Sequence, residues 1–354
     1  MLPRSGMPQS RSRQLFLLAT MLLIVMPIII FELHLPHLKS RFPRYVALRT
    51  WSLHRSNGSA PGVQRSMHTN HSEARALDSP VSRAVSVEQV EARFAVPESL
   101  WPPSRAVIKN ASLEMKTRIA ATKRLYITYG ERCCVDAKAR ACRHAKEYGK
   151  FDACKALSQA DVDQPFQKRN KDIFNVGRGA GLWLWKPYII NKTLHEDLQE
   201  GEYLVYVDAG AFIKSPIDPM LAFMEVLDSK LQGVLTFGVG FPQFMYCKRD
   251  SFVIQNCDST ECHEAMQVDG YLSVWRKSKH ALQVAQQWLI ECQNFQSLSD
   301  EGPQNVKGKP NLPGFRAHRH DQALLTNIIT REKWGRDTEH GPVQFMFSHD
   351  RFKS

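Results

Sequence analysis

The sequence predicts an α/β domain held behind a membrane anchor and a tether, and three observations carry that reading. Short runs rich in β-branched and aromatic residues stop abruptly at Gly or Asp: Leu125–Gly130, Tyr203–Asp208 and Gly233–Gly238. Such runs read as strands buried on both faces. Between them lie stretches with apolar residues at helical intervals, Val135–Lys155 and Lys279–Cys292. Ahead of both sits an unbroken apolar run, Leu15–Phe31, followed by a Ser-, Arg-, Ala- and Pro-rich stretch. These divide the chain into a cytoplasmic tail (1–14), a transmembrane signal anchor (15–33), a largely disordered stem (34–122) and one globular domain (123–354).

The anchor follows a short basic start, Arg4, Arg11 and Arg13. Its apolar run exceeds the usual core of a cleaved signal peptide, and no small-x-small cleavage site follows it. An uncleaved anchor is the better reading. Basic residues flank both sides (Lys39, Arg41 and Arg44 follow), so charge alone does not orient the span. Orientation comes from what lies downstream. Asn-x-Ser/Thr sequons occur at Asn57, Asn70, Asn110 and Asn191, and all eight cysteines lie beyond residue 132. An even cysteine count confined to the globular part suits disulfides in an oxidising lumen, with Cys257–Cys262 as a plausible local loop. Zinc is the competing reading, but the spacings form no paired Cys-x-x-Cys arrangement. The expected location is therefore a single-pass type II protein of the Golgi or endoplasmic reticulum membrane, its domain lumenal.

The formal net charge of +12 does not indicate nucleic acid. Residues 1–120 hold 16 Lys+Arg and 7 Asp+Glu; the remaining 31 basic and 28 acidic residues leave the globular part at only +3. No basic motif interleaved with aromatics appears either. From about His34 to Lys123 hydrophobic periodicity is weak and prolines recur at 61, 80, 97, 102 and 103. Such a segment does not bury enough apolar surface to offset its ordering entropy, apart from a short helix near Val87–Phe94.

Within the globular part, Gly201–Ile213 is the organising stretch. Its strand ends at Asp208, followed by the small residues Ala209 and Gly210. A carboxylate there either begins a turn or stands where open α/β sheets bind ligands, outside the carboxyl ends of the strands. Gly177–Ile190 supplies three glycines, Trp183, Trp185 and Lys186. The tryptophans suit a core with Lys186 reaching to solvent, or the lysine stands beside a ligand's phosphates. Cys247–Asp250 places Lys248 and Arg249 before the Asp250 carboxylate, as a helix start or a surface ion pair. Gln267–Gly270 is a polar approach to a further strand. Glu301–Gly314 is a Gly/Pro/Asn-rich loop of lid length. His318-Arg319-His320-Asp321-Gln322 then opens a helix: Asp321 as cap alone, Asp321 as cap and catalyst, or a His-x-His-Asp metal cluster. No Gly-x-Gly-x-x-Gly follows the first strand, so a dinucleotide cofactor has no support.

Taken in order, Gly181–Ile190 (Gly-x-x-x-Trp-Lys-Pro-Tyr-Ile-Ile), Tyr206–Gly210, Lys248–Phe252, Gln267 and His318–Gln322 resemble nucleotide-diphospho-sugar glycosyltransferases of the GT-A type. The resemblance spans about Leu125 to Ile329 and lies in order and spacing, with no single motif decisive. It implies a GT-A-like, Rossmann-like catalytic domain that moves a sugar from a nucleotide diphosphate donor to a glycan or protein acceptor. Asp208 matches the carboxylate that reaches the donor's ribose or a bridging divalent ion; Asp321 and Gln322 match the pair beside the donor sugar. Lys186, Arg249, Asp250 and Gln267 are implied donor contacts, and Asp208, His318 and His320 implied ligands of Mn²⁺ or Mg²⁺. A departure accompanies this: Gly210 stands where the family's strand motif has its second carboxylate, so either residues 318–321 complete a metal site or basic side chains replace the ion. A catalytically silent lumenal carbohydrate-binding or scaffold protein is the alternative. A nucleotide-sugar pyrophosphorylase is disfavoured by the anchor.

Overall fold

Two strands whose every residue is buried form the centre of the domain: β1 (Arg124–Tyr129) and β3 (Tyr203–Val207). They run parallel, with Leu125 opposite Leu204 and Ile127 opposite Tyr206. In the computed structural model, which describes residues 86–349 except 99, 101, 132–133, 302 and 335–345, these strands anchor a five-stranded mixed sheet. β2 (Ala153–Leu157) pairs parallel to β1 on the outer side. β5 (Leu272–Arg276) pairs antiparallel to β3, and the two-residue β4 (Val234–Leu235) closes the other edge. The order is β2-β1-β3-β5-β4. From β1 the chain crosses to β2 on one side and later returns to β3 on the other. The crevice where strand order reverses thus opens at the carboxyl ends of β1 and β3.

Alternation along the strands divides the core. Tyr203, Val205 and Val207 face one layer with Met220, Leu221, Phe223 and Met224 of helix Asp218–Val226. Leu204 and Tyr206 face the other, with Trp185 and Ile189 of helix Trp185–Glu196, Trp288 of helix Lys279–Cys292, and Leu325 of helix His320–Arg331. The second layer carries both the lysine and the distal carboxylate of the site.

Three expectations need correction. Residues 86–122 were assigned to the stem with one short helix near Val87–Phe94; that helix forms as Val87–Arg93, but two more, Pro102–Lys109 and Leu113–Ala121, follow it where none was expected. Val90, Phe94, Leu100, Val107, Ile108 and Ile119 are buried in the first core layer. The reason is local and tertiary together. Ser86 and Ser112 cap their helices by accepting from Gln89 N and Met115 N. Buried Arg124 then ties the last helix to the sheet, donating to the carbonyls of Ile119 and Ala120 and at 2.7 Å to Asp218 Oδ1. Second, the helix expected over Val135–Lys155 ends at Glu147, and Cys154 and Lys155 belong to strand β2. Third, the strand expected over Gly233–Gly238 is only two residues long. The anchor (15–33) and stem residues 34–85 lie outside the described residues; among the described residues no helix is long and apolar enough to cross a membrane.

Among the described residues two disulfides form, Cys142–Cys154 and Cys257–Cys262, the second as expected from its spacing. The first fastens helix Val135–Glu147 to edge strand β2.

Candidate functional site

β3 delivers Asp208 one residue beyond its last rung. Because strand side chains alternate, Asp208 shares a face with Tyr206, whose hydroxyl donates to Asp208 Oδ1 at 2.5 Å. The Asp208 amide donates to Tyr271 O at 2.8 Å and its carbonyl accepts from Ala211, so the backbone turns sharply at Ala209-Gly210. The small residues make room for the turn into Ala211–Ile213.

Helix Trp185–Glu196 delivers Lys186 from its first turn. The chain reaches that helix through an unusual segment: Gly179, Ala180, Gly181, Leu182 and Trp183 all have positive φ, between +52° and +96°. Leu182 N bonds Arg178 O and Trp183 N bonds Gly179 O, so this is one turn of left-handed helix. A Cβ at Gly179 would lie 2.4 Å from the Trp183 ring, so only glycine fits there. Three L-residues in this conformation cost roughly 1–2 kcal/mol each. The turn is held by Trp185 Nε1 donating to Gly179 O, the Arg178–Asp300 ion pair at 2.5 Å, and the Trp183 ring lying 5.1 Å from that of His320.

Lys186 is 3% exposed. Its Nζ donates to Gly270 O at 2.7 Å and lies 3.5 Å from Asp208 Oδ1 and 3.4 Å from Asp321 Oδ2. Burial opposes its charge, but Asp208 and Asp321 outweigh burial and hold its pKa above the ordinary value. The rings of Tyr206 and Trp185 lie 5.2 and 5.8 Å from the same nitrogen.

Asp321 is the second residue of helix His320–Arg331, where the positive end of the helix dipole favours a carboxylate. Trp288 Nε1 donates to its backbone carbonyl at 2.9 Å. Burial raises the Asp321 carboxyl to about 6; the Asp208 charge adds to the rise and Lys186 works against it. Its Oδ2 makes the ion pair with Lys186 but no hydrogen bond of its own. Gln322 donates to Val268 O at 2.7 Å and Gln267 Oε1 at 3.2 Å, and its side chain packs against Gly270.

Of the expected site residues, the fold therefore gathers Asp208, Lys186, Asp321 and Gln322, with Gln267 one hydrogen bond away. It does not gather the others. Arg249 pairs with Asp258 at 2.6 Å, beside His263 and Lys309. The Asp250 carboxylate accepts from Val306 N, Lys307 N and Gln296, fastening the 301–314 loop. Lys186 does not reach solvent; it is buried against the two carboxylates. Tyr206, Trp288 and the Gly270 carbonyl complete the cluster. Only Tyr206 had a signal in the sequence, its two-residue spacing from Asp208.

The expected metal set fails on its histidines. His318 accepts from Lys248 N at Nδ1 and donates from Nε2 to Ser297 O, so both ring nitrogens are spent on backbone. His320 donates from Nδ1 to Leu298 O, and its Nε2 lies 3.8 Å from Asp300 Oδ1. Burial lowers the pKa of both, so both rings are neutral. Among the described residues no group of three His, Cys, Asp or Glu side chains is placed to hold a metal. Asp208, His318 and His320 do not fit a divalent ion, and a lysine ammonium lies between the two carboxylates instead.

No family profile and no curated protein matches the sequence. Among solved structures, the chain is similar to the apo crystal structure of mouse xyloside xylosyltransferase 1, with a TM-score of 0.36 and 13% identity, over 61% of this chain and 84% of that one.

Proposed function

We propose that the domain is a GT-A-like glycosyltransferase that moves a sugar from a nucleotide diphosphate donor to a glycan or glycoprotein acceptor, in the lumen of the Golgi or endoplasmic reticulum. The observation that carries the proposal is the meeting of Asp208 and Asp321 on one buried lysine at the carboxyl end of β3. The motif resemblance supports it, since the gathered Asp208, Asp321 and Gln322 are among the residues it assigns to the donor.

The reaction requires the bond between the anomeric carbon and the diphosphate oxygen to break, its electron pair leaving with the diphosphate. An acceptor hydroxyl bonds to that carbon and gives up its proton. Asp208 is the more exposed carboxylate, its side chain 25% accessible, and faces the donor. Asp321, raised to about 6, is tuned to exchange a proton near neutrality or to stabilise positive charge at the sugar. Lys186 fixes both carboxylates and touches no substrate; it is a positioning residue.

Thermal stability of residues 86–354, made in an oxidising host, tests the reading against a panel of nucleoside diphosphates with and without Mn²⁺. Binding to the native state raises apparent stability by mass action. The expected result is a shift with one nucleotide that Asp208→Ala abolishes. A Mn²⁺-dependent shift assigns the counter-charge to an ion held by Asp208 and the diphosphate oxygens; an independent one assigns it to side chains. No shift with any nucleotide overturns the transferase and leaves the silent carbohydrate-binding protein, the reading Gly210 favours.

A further inference from the structure

One rim of the site carries aromatic and cationic groups, exposed at Phe241 and Arg316 and half-buried at Tyr246 and Arg319, that the donor chemistry does not use. Strand Gly238–Pro242 presents Phe241, which is 39% exposed. The Tyr246 ring stands edge-on to it, with centroids 5.5 Å apart. Arg319 lays its guanidinium over Tyr246 at 3.9 Å. The backbone of Arg319 pairs with Tyr246 O and that of exposed Arg316 with Met245 O, so a second cation is tethered within one residue of the Tyr246 backbone.

This rim is joined to the carboxylates. Arg319 and Gln322 donate to the same oxygen, Gln267 Oε1, at 3.1 and 3.2 Å. Gln322 packs on Gly270, whose carbonyl accepts from Lys186. Two side chains thus separate the rings from the cluster. Neither Arg316 nor Arg319 forms an ion pair with a described residue, whereas Arg249 and Lys309, farther along, both do.

An aromatic face and a guanidinium with no ion-pair partner among the described residues make complementary demands. The ring suits the C–H-lined face of a pyranose. The guanidinium suits a planar or tetrahedral anion that accepts two hydrogen bonds. We propose that Phe241, Tyr246, Arg316 and Arg319 form the acceptor subsite, and that the acceptor it takes is a saccharide bearing an anionic group, a uronate being the simplest. The proposal rests on the transferase reading for the word acceptor; the saccharide site itself does not need it.

Phe241→Ala and Arg316→Gln alter exposed side chains, so unchanged thermal unfolding is the control for folding. The probes are methyl glucuronide and methyl glucoside, followed by saturation-transfer NMR, with the nucleoside diphosphate shift measured in parallel. Expected is glucuronide binding about tenfold tighter than glucoside, the difference one charge-assisted hydrogen bond makes. Arg316→Gln removes that preference, Phe241→Ala weakens both sugars, and the nucleotide shift is unchanged in each. Equal binding of the two sugars, or no transfer to either, overturns the subsite. Loss of the nucleotide shift in Arg316→Gln also overturns it, by assigning the guanidinium to the donor diphosphate. Glucuronide binding that the variants remove, in a protein that binds no nucleotide, supports the subsite and sinks only the transferase.

Discussion

The Lys186 ammonium serves two carboxylates and a carbonyl at once, so its removal exposes their mutual repulsion. Lys186→Met should destabilise the domain by about 3–5 kcal/mol, the range for breaking a buried ion pair from one side, read as a lowered urea midpoint. Asp321 acts on stability in the opposite sense from most carboxylates. Its folded pKa of about 6 exceeds the reference value of 3.8, so the fold prefers the protonated form. That contribution is fully present below about pH 4 and is lost as pH rises through about 6. It amounts to roughly 3 kcal/mol for a shift of about two units. Asp321→Asn should therefore be more stable than the parent at pH 7.5 and lose that advantage by pH 4, while losing turnover at both. Equal pH dependence of the two proteins in urea unfolding would remove the raised carboxyl from the account. Asp208 and Asp321 were legible because a strand end and a helix start mark them locally. The role of Lys186 was not, because its partners lie 22 and 135 residues away. Arg249 and Asp250 gave no local sign of their partners, Asp258 and the 301–314 loop, which are set by packing.

At the scale of elements, the left-handed turn 179–183 and the helices Pro102–Lys109 and Leu113–Ala121 are the parts a local reading missed. Three glycines in five positions announced flexibility; they did not announce that Ala180, Leu182 and Trp183 would share the glycine conformation. Ala180→Gly should raise stability by about 1 kcal/mol if that backbone strain is relieved, measured as a higher unfolding temperature. Helices 102–109 and 113–121 were hidden by prolines and basic residues, although Val107, Ile108 and Ile119 already lay at helical spacing. A chain beginning at residue 123 should fail to fold, because it uncovers helix Asp218–Val226 and leaves buried Asp218 without Arg93. A chain beginning at 86 should melt cooperatively, with protected amides throughout 113–121. Strand β2 went unread because its edge exposes Lys155 and Ala156, breaking the apolar run on which strand assignment depends.

Across the whole molecule, the central strands and the positions of the two carboxylates follow from periodicity and punctuation, while the edge strands, the strand order and the limits of the domain follow from packing. The Cys142–Cys154 link closes a short loop at the sheet edge, and Cys142→Ser with Cys154→Ser should lower stability by about 3 kcal/mol in urea titrations. Arg124 acts on the same scale, since one guanidinium binds the end of an N-terminal helix and a carboxylate some ninety residues later. Inherited variation in residues 86–122 should then be judged by the standards of a domain core. A change at Val107 or Ile108 that a scan would score as harmless spacer polymorphism removes a side chain from the core, and carriers would lose the protein rather than shorten its leash.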